Sequence, residues 1–137
     1  MIIHEKPPNF GDIIKVFPRA GDPGVVFAYG KDIFVPDGGQ LPPAILRHEA
    51  VHQMRQLVKT PEHWWDQYLT DPEFRYIEEL KAHAVEFIAQ LHPLITRNDR
   101  AKLLHRTAAR LIAPLYAYEP PRTLRQAQLD LRKEIGL

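Results

Sequence analysis

His48-Glu49-Ala50-Val51-His52 is the stretch that decides how this chain is interpreted, because it has the form HExxH and lies in a segment with helical character. Residues four apart on a helix occupy one face about one turn from each other, so His48 and His52 can present two imidazole nitrogens to one metal ion. Glu49 lies beside them, where a carboxylate can accept a proton from a water molecule held by zinc. The motif therefore predicts a zinc site on a helix, with Glu49 as the general base.

The residues around the motif favour this helix. Pro42-Pro43 suit a first helical turn, and the residues that lead from there to the motif contain no helix breaker. The helix is predicted over about residues 42–58. Its apolar side chains are expected to be buried around the two histidines; they are Ile45, Leu46, Val51, Met54, Leu57 and Val58.

Short apolar runs before the motif predict strands. Residues 13–17 form such a run, closed by Pro18. Residues 25–29 and 33–35 form two more, and Gly30-Lys31-Asp32 between them has the spacing of a hairpin. Strands are therefore expected within about residues 12–36.

Helical signals dominate after the motif. A loop containing Pro61 and the pair Trp64-Trp65 is expected first, and Asp71-Pro72 then has the cap-and-proline form of a helix start. Thr123-Leu124-Arg125-Gln126 is a capping box that opens a short last helix. The expected helices are a second long one over about 72–91 and C-terminal helices within about 98–135. Strands followed by helices indicate an α+β fold, and the length of 137 residues suits a single domain spanning 1–137.

Composition narrows the chemistry. The absence of Cys removes thiolate ligands and nucleophiles, so a metal must be held by His and carboxylate groups, which favours zinc in a site of catalytic type. The net charge of +1 is spread without a basic stripe, so nucleic acid is not an expected partner. Neither a signal-peptide pattern nor a long apolar run is present, so a cytoplasmic protein without membrane association is expected.

A third metal ligand has to come from outside the motif, because a catalytic zinc site has three protein ligands and one open position. The extended form HExxHxxGxxH does not apply, since residues 53–58 read Gln-Met-Arg-Gln-Leu-Val. Spacing alone leaves the choice open between loop residues and the second long helix. The candidates are His63, Asp66, Glu78, Glu79, His83 and Glu86.

Residues 47–53, together with residues 64–69 and 71–83, resemble the gluzincin branch of zinc metallopeptidases, especially small HExxH proteins of phage and prophage type. The resemblance covers roughly residues 25–89. In such proteins Phe-Arg precedes a ligand Glu that is followed three residues later by Ala, which implies Glu79 as the third ligand and Ala82 as the small residue. His83 replaces an aromatic residue common at its place, and a hydrogen bond from it to a ligand or a water is one possible role.

The resemblance implies a minimal zincin-like fold and a zinc-dependent peptidase in which His48, His52 and Glu79 bind one zinc ion. A peptide or protein is then the expected substrate. The site is expected either to be shallow or to be completed by a second copy or a protein partner, because a chain of this length lacks the second domain that usually walls a deep cleft. One alternative is a phage-type structural or accessory protein that keeps the zinc-binding fold without hydrolysis. A second alternative is a helical binding module for a partner protein, in which the histidines are incidental.

Several aromatic and basic residues have two interpretations. Trp64 and Trp65 could line a groove, but core packing is favoured. Tyr116 or Tyr118 could donate to an oxyanion, although packing is again favoured; similar proteins carry Pro-Leu-Tyr-Gly here, and this chain has Ala117 in place of that Gly. Arg75 either fixes a carboxylate or forms an ordinary surface pair with a residue one turn away. Surface or packing positions are expected for His4, His92 and His105.

Overall fold

Six α-helices and a small mixed sheet form the fold in a computed structural model that describes residues 1–137, and the expected α+β class is confirmed. The helices are α1 (Phe10–Val16), α2 (Pro43–Val58), α3 (Pro61–Thr70), α4 (Pro72–Ala89), α5 (Arg97–Leu111) and α6 (Leu124–Ile135). The strands are β1 (Ile2–Ile3), β2 (Phe27–Tyr29) and β3 (Asp32–Phe34). Short 3-10 helices lie at Pro18–Gly21 and Pro114–Tyr116.

The motif helix α2 packs along α4, and both were predicted within two residues of their observed ends. Arg55 of α2 pairs with Glu78 of α4. His48 lies earlier on α2 and faces Glu86, which lies later on α4. Because the order of contacts is reversed, the two helices run antiparallel and bring the motif against one face of α4.

Local caps explain where the helices after α3 begin. The Asp71 side chain accepts hydrogen bonds from the backbone N–H groups of Glu73 and Phe74, and Pro72 occupies the first turn. The predicted cap of the last helix is confirmed, since the Thr123 hydroxyl accepts the Gln126 N–H. The Asp71 cap fixes the start of α4, and with it the register of its buried face.

The expected hairpin is also confirmed: β2 and β3 pair in antiparallel orientation across Gly30, whose φ of 60° suits glycine at this tight turn. β1 pairs in parallel with β3, so the strand order is β1-β3-β2. The side chain of Gln56 on α2 closes part of the outer edge of β2. It accepts from the Gly30 N–H at 2.7 Å and donates to the Ala28 carbonyl at 3.0 Å, which ties the motif helix to the sheet.

Two predicted elements are wrong. The run 13–17, expected as a strand, lies mostly in helix α1, because Phe10, Ile13, Ile14 and Phe17 repeat at helical spacing and pack into one core cluster. The expected loop around Trp64-Trp65 is helix α3, with the Thr60 hydroxyl capping the His63 N–H and Pro61 in the first turn. Four helices therefore follow α2, rather than the two or three expected.

The buried face of α2 is polar, which corrects the expectation that apolar side chains surround the histidines. The buried residues of this helix are His48, Glu49, His52 and Gln56. Met54, Leu57 and Val58 are exposed at 68%, 74% and 86%. The apolar cores are formed elsewhere, one by α4, α5 and α6 and the other by α1, α3 and the hairpin. None of the helices combines the length and the apolar character needed to cross a membrane.

Candidate metal centre

His48, His52 and Glu79 converge between α2 and α4, and all three are buried. The Nε2 atoms of the two histidines are 3.3 Å apart. Glu79 Oε1 lies 3.1 Å from His52 Nε2, and Glu79 Oε2 lies 3.7 Å from His48 Nε2. The structure thus brings together the two motif histidines and the carboxylate implied by resemblance.

This geometry fits a metal ion. With bonds of about 2.0–2.1 Å, the ligand atoms of a tetrahedral zinc ion are separated by about 3.3 Å. The distance between the two Nε2 atoms, 3.3 Å, and the distance from His52 Nε2 to Glu79 Oε1, 3.1 Å, are close to this value. Two imidazole nitrogens this close also need a cation or a proton between them, because their lone pairs repel. These three side chains could therefore hold a metal ion.

The electrostatics of the cluster favour a positive charge. Burial opposes charge on His48, but the nearby carboxylates of Glu79, Glu86 and Glu49 raise its pKa to about 10. Burial likewise opposes charge on Glu79, yet the charge of His52, the hydrogen bond with His52 and the nearby His48 ring hold the pKa of Glu79 well below its usual value. Carboxylates outnumber the permanent cations here, so a cation is stabilised at this point.

Glu49 occupies a different position from the three converging groups. It is 6% exposed, makes no hydrogen bond within the chain and lines the cleft in front of the cluster. Its oxygens are not among the buried atoms without partners, so the carboxylate reaches the cleft. Burial raises the pKa of Glu49, while the charges of His48 and His52 lower it. Its position is suitable for receiving a proton from a molecule in the cleft.

Glu86 and His83 lie behind His48. Glu86 Oε2 is 3.7 Å from His48 Nδ1 and 4.0 Å from His83 Nε2, and these three atoms have no hydrogen-bond partner. The other oxygen of Glu86 pairs with Arg110. His83 Nδ1 donates to the Glu79 backbone carbonyl at 2.8 Å, and burial together with the charge of His48 lowers the pKa of His83 to about 4. His83 is thus neutral, and it contacts the backbone of Glu79 rather than its carboxylate.

Sequence reasoning did not single out the pairing of Glu86 with His48. A histidine that binds metal through Nε2 usually donates its other ring N–H to a carboxylate or carbonyl, and Glu86 lies where that group is needed. Helical spacing would have found it, because Glu86 lies seven residues, or about two turns, after Glu79 on the same helix.

The remaining ligand candidates lie elsewhere. Both oxygens of Glu78 are used, Oε1 by the Trp64 indole N–H at 2.6 Å and Oε2 by Arg55 Nε at 2.6 Å. His63 and Asp66 are exposed on α3. None of these three belongs to the clusters of potential ligands.

Aromatic side chains form one wall of the site. Trp64 and Trp65 are buried, as expected for core residues, and they also line the cleft. The Trp64 ring lies 5.3 Å from the His52 ring, and the Tyr68 hydroxyl donates to Glu79 Oε1 at 3.3 Å. The aromatic wall therefore restricts where Glu79 and His52 can point.

The contacts of Arg75 and of the tyrosines near the 3-10 helix Pro114–Tyr116 decide between the two interpretations of each residue. Arg75 is buried and donates to backbone carbonyls, so both interpretations of it as a carboxylate or surface-pair residue are wrong. The Tyr118 hydroxyl donates to the Leu111 carbonyl at 2.9 Å, a packing role. Tyr116 lines the cleft. Ala117 has φ 47° and ψ 48°, the left-handed conformation that favours the Gly expected there by resemblance.

The remaining histidines, His4, His92 and His105, are exposed, as expected.

The cleft in front of the cluster has a volume of about 380 Å³ and lies within this one chain. Most of its lining is apolar and comes from residues 13–28, the start of α2 and α3; Arg110, Leu115 and Tyr116 also line it. Such a cleft is large enough to admit one or two side chains of a peptide. Comparison of the chain with family models, curated proteins and solved structures found no match.

Proposed function

We propose that this protein is a zinc-dependent metallopeptidase of gluzincin type with a minimal zincin-like fold. The observation that carries the proposal is the buried convergence of His48, His52 and Glu79 beside a Glu49 carboxylate that is open to a cleft. His48 Nδ1, His52 Nδ1 and Glu79 Oε2 are buried without hydrogen-bond partners, and burying polar atoms in this way is costly unless protonation or a bound ion compensates.

Zinc is the metal that suits this set of donors. Two imidazoles and one carboxylate form a three-ligand set that leaves one coordination position open, which is the pattern of catalytic zinc sites. Sites for calcium and magnesium consist mostly of oxygen ligands, so the two histidines disfavour these ions. His48, His52 and Glu79 would hold the zinc ion.

The chain's own residues supply the remaining needs of peptide hydrolysis. When bound, zinc would act as a Lewis acid and lower the pKa of a water molecule. Glu49 accepts the proton of that water and delivers it to the leaving amine, a role that suits its open position and raised pKa. Glu86 orients the His48 ring, and the aromatic wall excludes bulk water from one side of the site.

The lining of the cleft favours peptides with apolar side chains. Phe17, Val25, Phe27 and Ile45 contribute apolar surface next to the motif residues. A bulky apolar side chain placed there would be removed from water, and its burial would contribute about 1.5–3 kcal/mol to the binding free energy. A peptide with Leu or Phe beside the cleaved bond is therefore the substrate class that we propose.

Substitution of Glu49 by Gln tests this function. The amide keeps the size of the side chain but cannot accept the proton, so the variant should retain one zinc per chain and lose about 10²–10⁴-fold in the rate of peptide cleavage. Zinc content is measured by elemental analysis, and cleavage by a peptide library analysed by mass spectrometry.

Two comparisons control this experiment. His63→Ala removes an exposed histidine and should change neither zinc content nor rate. Equal rates for wild type and Glu49→Gln at equal zinc occupancy would sink the peptidase proposal. Zinc binding without cleavage of any peptide by wild type would favour the accessory protein that keeps zinc without hydrolysis.

A further inference from the structure

Arg75 carries a buried positive charge without a carboxylate partner. Its side chain is 2% exposed, and its guanidinium donates to four backbone carbonyls instead. Nε donates to Tyr68 at 2.9 Å and Nη2 to Leu69 at 3.2 Å. Nη1 is shared by Tyr116 at 2.9 Å and Ala117 at 3.2 Å. Burying a charge in this way is costly, so the hydrogen bonds of the guanidinium must compensate for its lost hydration.

These contacts join three separate segments of the chain. Tyr68 and Leu69 lie on α3, whereas Tyr116 lies in the 3-10 helix Pro114–Tyr116. The ring of Phe17, which follows α1, packs 4.7 Å from the guanidinium carbon. Phe17, Tyr68 and Tyr116 all line the cleft in front of the His48–His52–Glu79 cluster, so one guanidinium holds three parts of the cleft wall.

The backbone beyond Tyr116 is held in an unfavourable conformation. Ala117 lies in the left-handed region, at φ 47° and ψ 48°, which costs a residue with a Cβ atom about 1–2 kcal/mol. The carbonyls on either side of this strained point, those of Tyr116 and Ala117, are the ones that accept from Arg75 Nη1. Arg75 therefore stabilises the turn that sets the direction of the Tyr116 side chain.

Tyr116 has the one tyrosine hydroxyl at the cleft that is free to contact a ligand. The Tyr68 hydroxyl donates to Glu79 and the Tyr118 hydroxyl donates to Leu111. The Tyr116 hydroxyl makes no hydrogen bond within the chain, and it is not among the buried atoms without partners, so it is accessible in a residue that lines the cleft. The Tyr116 ring stacks on Tyr118 with centroids 5.6 Å apart, and its position relative to the site is thereby fixed.

The charges around Tyr116 keep its hydroxyl protonated. Burial raises the pKa of Tyr116 well above its usual value, and the negative charges of Glu79 and Glu49 raise it further. A protonated phenol is a hydrogen-bond donor, and Tyr116 lines the same cleft as His48, His52 and Glu79.

We propose that Arg75 is a positioning residue that holds Tyr116 against the cleft, so that the Tyr116 hydroxyl donates a hydrogen bond to an oxygen of the bound ligand. This inference rests on the proposed function of the cleft. A preorganised donor directed at an oxygen that gains negative charge contributes most when the charge develops, so Tyr116 would contact the reacting group.

A peptide phosphonamidate with a Leu side chain is a suitable probe, because its negatively charged oxygens resemble the charge that develops during hydrolysis. Tyr116→Phe should weaken its binding to the zinc-loaded protein by at least about 10-fold, the value of one hydrogen bond to a charged group, without changing zinc affinity. Tyr118→Phe is the matched control and should leave binding of the probe unchanged.

A double-mutant cycle tests the role of Arg75. Arg75→Lys keeps the charge but cannot reach all four carbonyls, so it should weaken the probe by about as much as Tyr116→Phe, and combining the two changes should add little. Tyrosine labelled with ¹³C at Cζ gives a second readout: the Tyr116 signal, assigned by its loss in Tyr116→Phe, should shift when the probe binds to wild type. Arg75→Gln, which retains two donors, is used if Arg75→Lys does not fold.

The outcomes separate this inference from the proposed function. Failure of wild type to take up zinc would overturn the proposed function. Three outcomes would overturn the positioning role alone, provided that the protein takes up zinc. The probe does not bind, or it binds fully to Tyr116→Phe, or the losses in the double variant are independent and additive. A Tyr116 signal that does not respond to the bound probe would overturn it as well.

Discussion

His48 presents both of its ring nitrogens to carboxylates, Nε2 to Glu79 and Nδ1 to Glu86. In the metal-free protein this arrangement stabilises an imidazolium, and in the metal-bound protein it would leave Nε2 for the metal and Nδ1–H for Glu86. A proton and a bound metal would therefore compete for one position. Sequence spacing predicted His48 as a ligand, but it could not show this competition, because the carboxylates come from another helix.

The competition predicts a pH dependence of zinc binding. The pKa of His48 in the metal-free protein is raised to about 10, so its ring is protonated at neutral pH and zinc must displace a proton. The apparent zinc affinity should thus rise about tenfold per pH unit between about pH 7 and 9, with about one proton released per zinc bound. A titration against a chelator of known protonation, with proton release followed in weak buffer, measures both quantities. An affinity that does not change across this range would contradict the assigned pKa.

At the scale of elements, α2 and α4 show what could be predicted from sequence. Their first residues were predicted from Pro42-Pro43 and Asp71-Pro72, which act locally through caps and fixed φ angles. The same kind of signal, Thr60-Pro61, precedes α3, but the Trp-rich segment after it was assigned to a loop. The buried face of α2 could not be predicted from hydropathy, since its polar residues turn inward and Met54, Leu57 and Val58 face solvent.

Substitution of each of three glutamates on α4 should lower zinc affinity by a different amount. Glu79→Gln should lower zinc affinity by more than about 100-fold, because it removes the proposed carboxylate ligand. Glu86→Gln should lower it by about 10–100-fold through the orientation of His48. Glu78→Gln should leave it nearly unchanged, since Glu78 bonds only to Trp64 and Arg55. A competition titration ranks the three variants, and a loss for Glu78→Gln as large as that for Glu79→Gln would refute the choice of ligand.

At the scale of the molecule, the cost of unpaired buried polar atoms is concentrated at one place. His48, His52, His83, Glu79 and Glu86 supply five of the eight buried side-chain atoms without partners. Each such group costs on the order of 1–3 kcal/mol, so the fold carries a local penalty between α2 and α4, and a cation held by Glu79 would directly relieve the share of Glu79 Oε2. The two helices that share the site are also among the most closely packed pairs in the fold. A metal between them would act as a cross-link, and neither this penalty nor the cross-link is visible in composition or periodicity.

Metal removal should therefore destabilise the whole protein. Free zinc at about 100 times its dissociation constant should add about 2.7 kcal/mol to the free energy of unfolding, which for a chain of this size raises Tm by about 10 °C. Thermal unfolding followed by circular dichroism, with zinc and then with excess chelator, measures this difference. The Tm of His48→Ala should not rise with zinc, and this variant separates binding at this site from weak binding elsewhere. His63→Ala should behave as wild type. If chelator leaves the Tm of the zinc-loaded wild type unchanged, zinc does not bridge α2 and α4, and the buried His and Glu groups must be stabilised by protons and water alone.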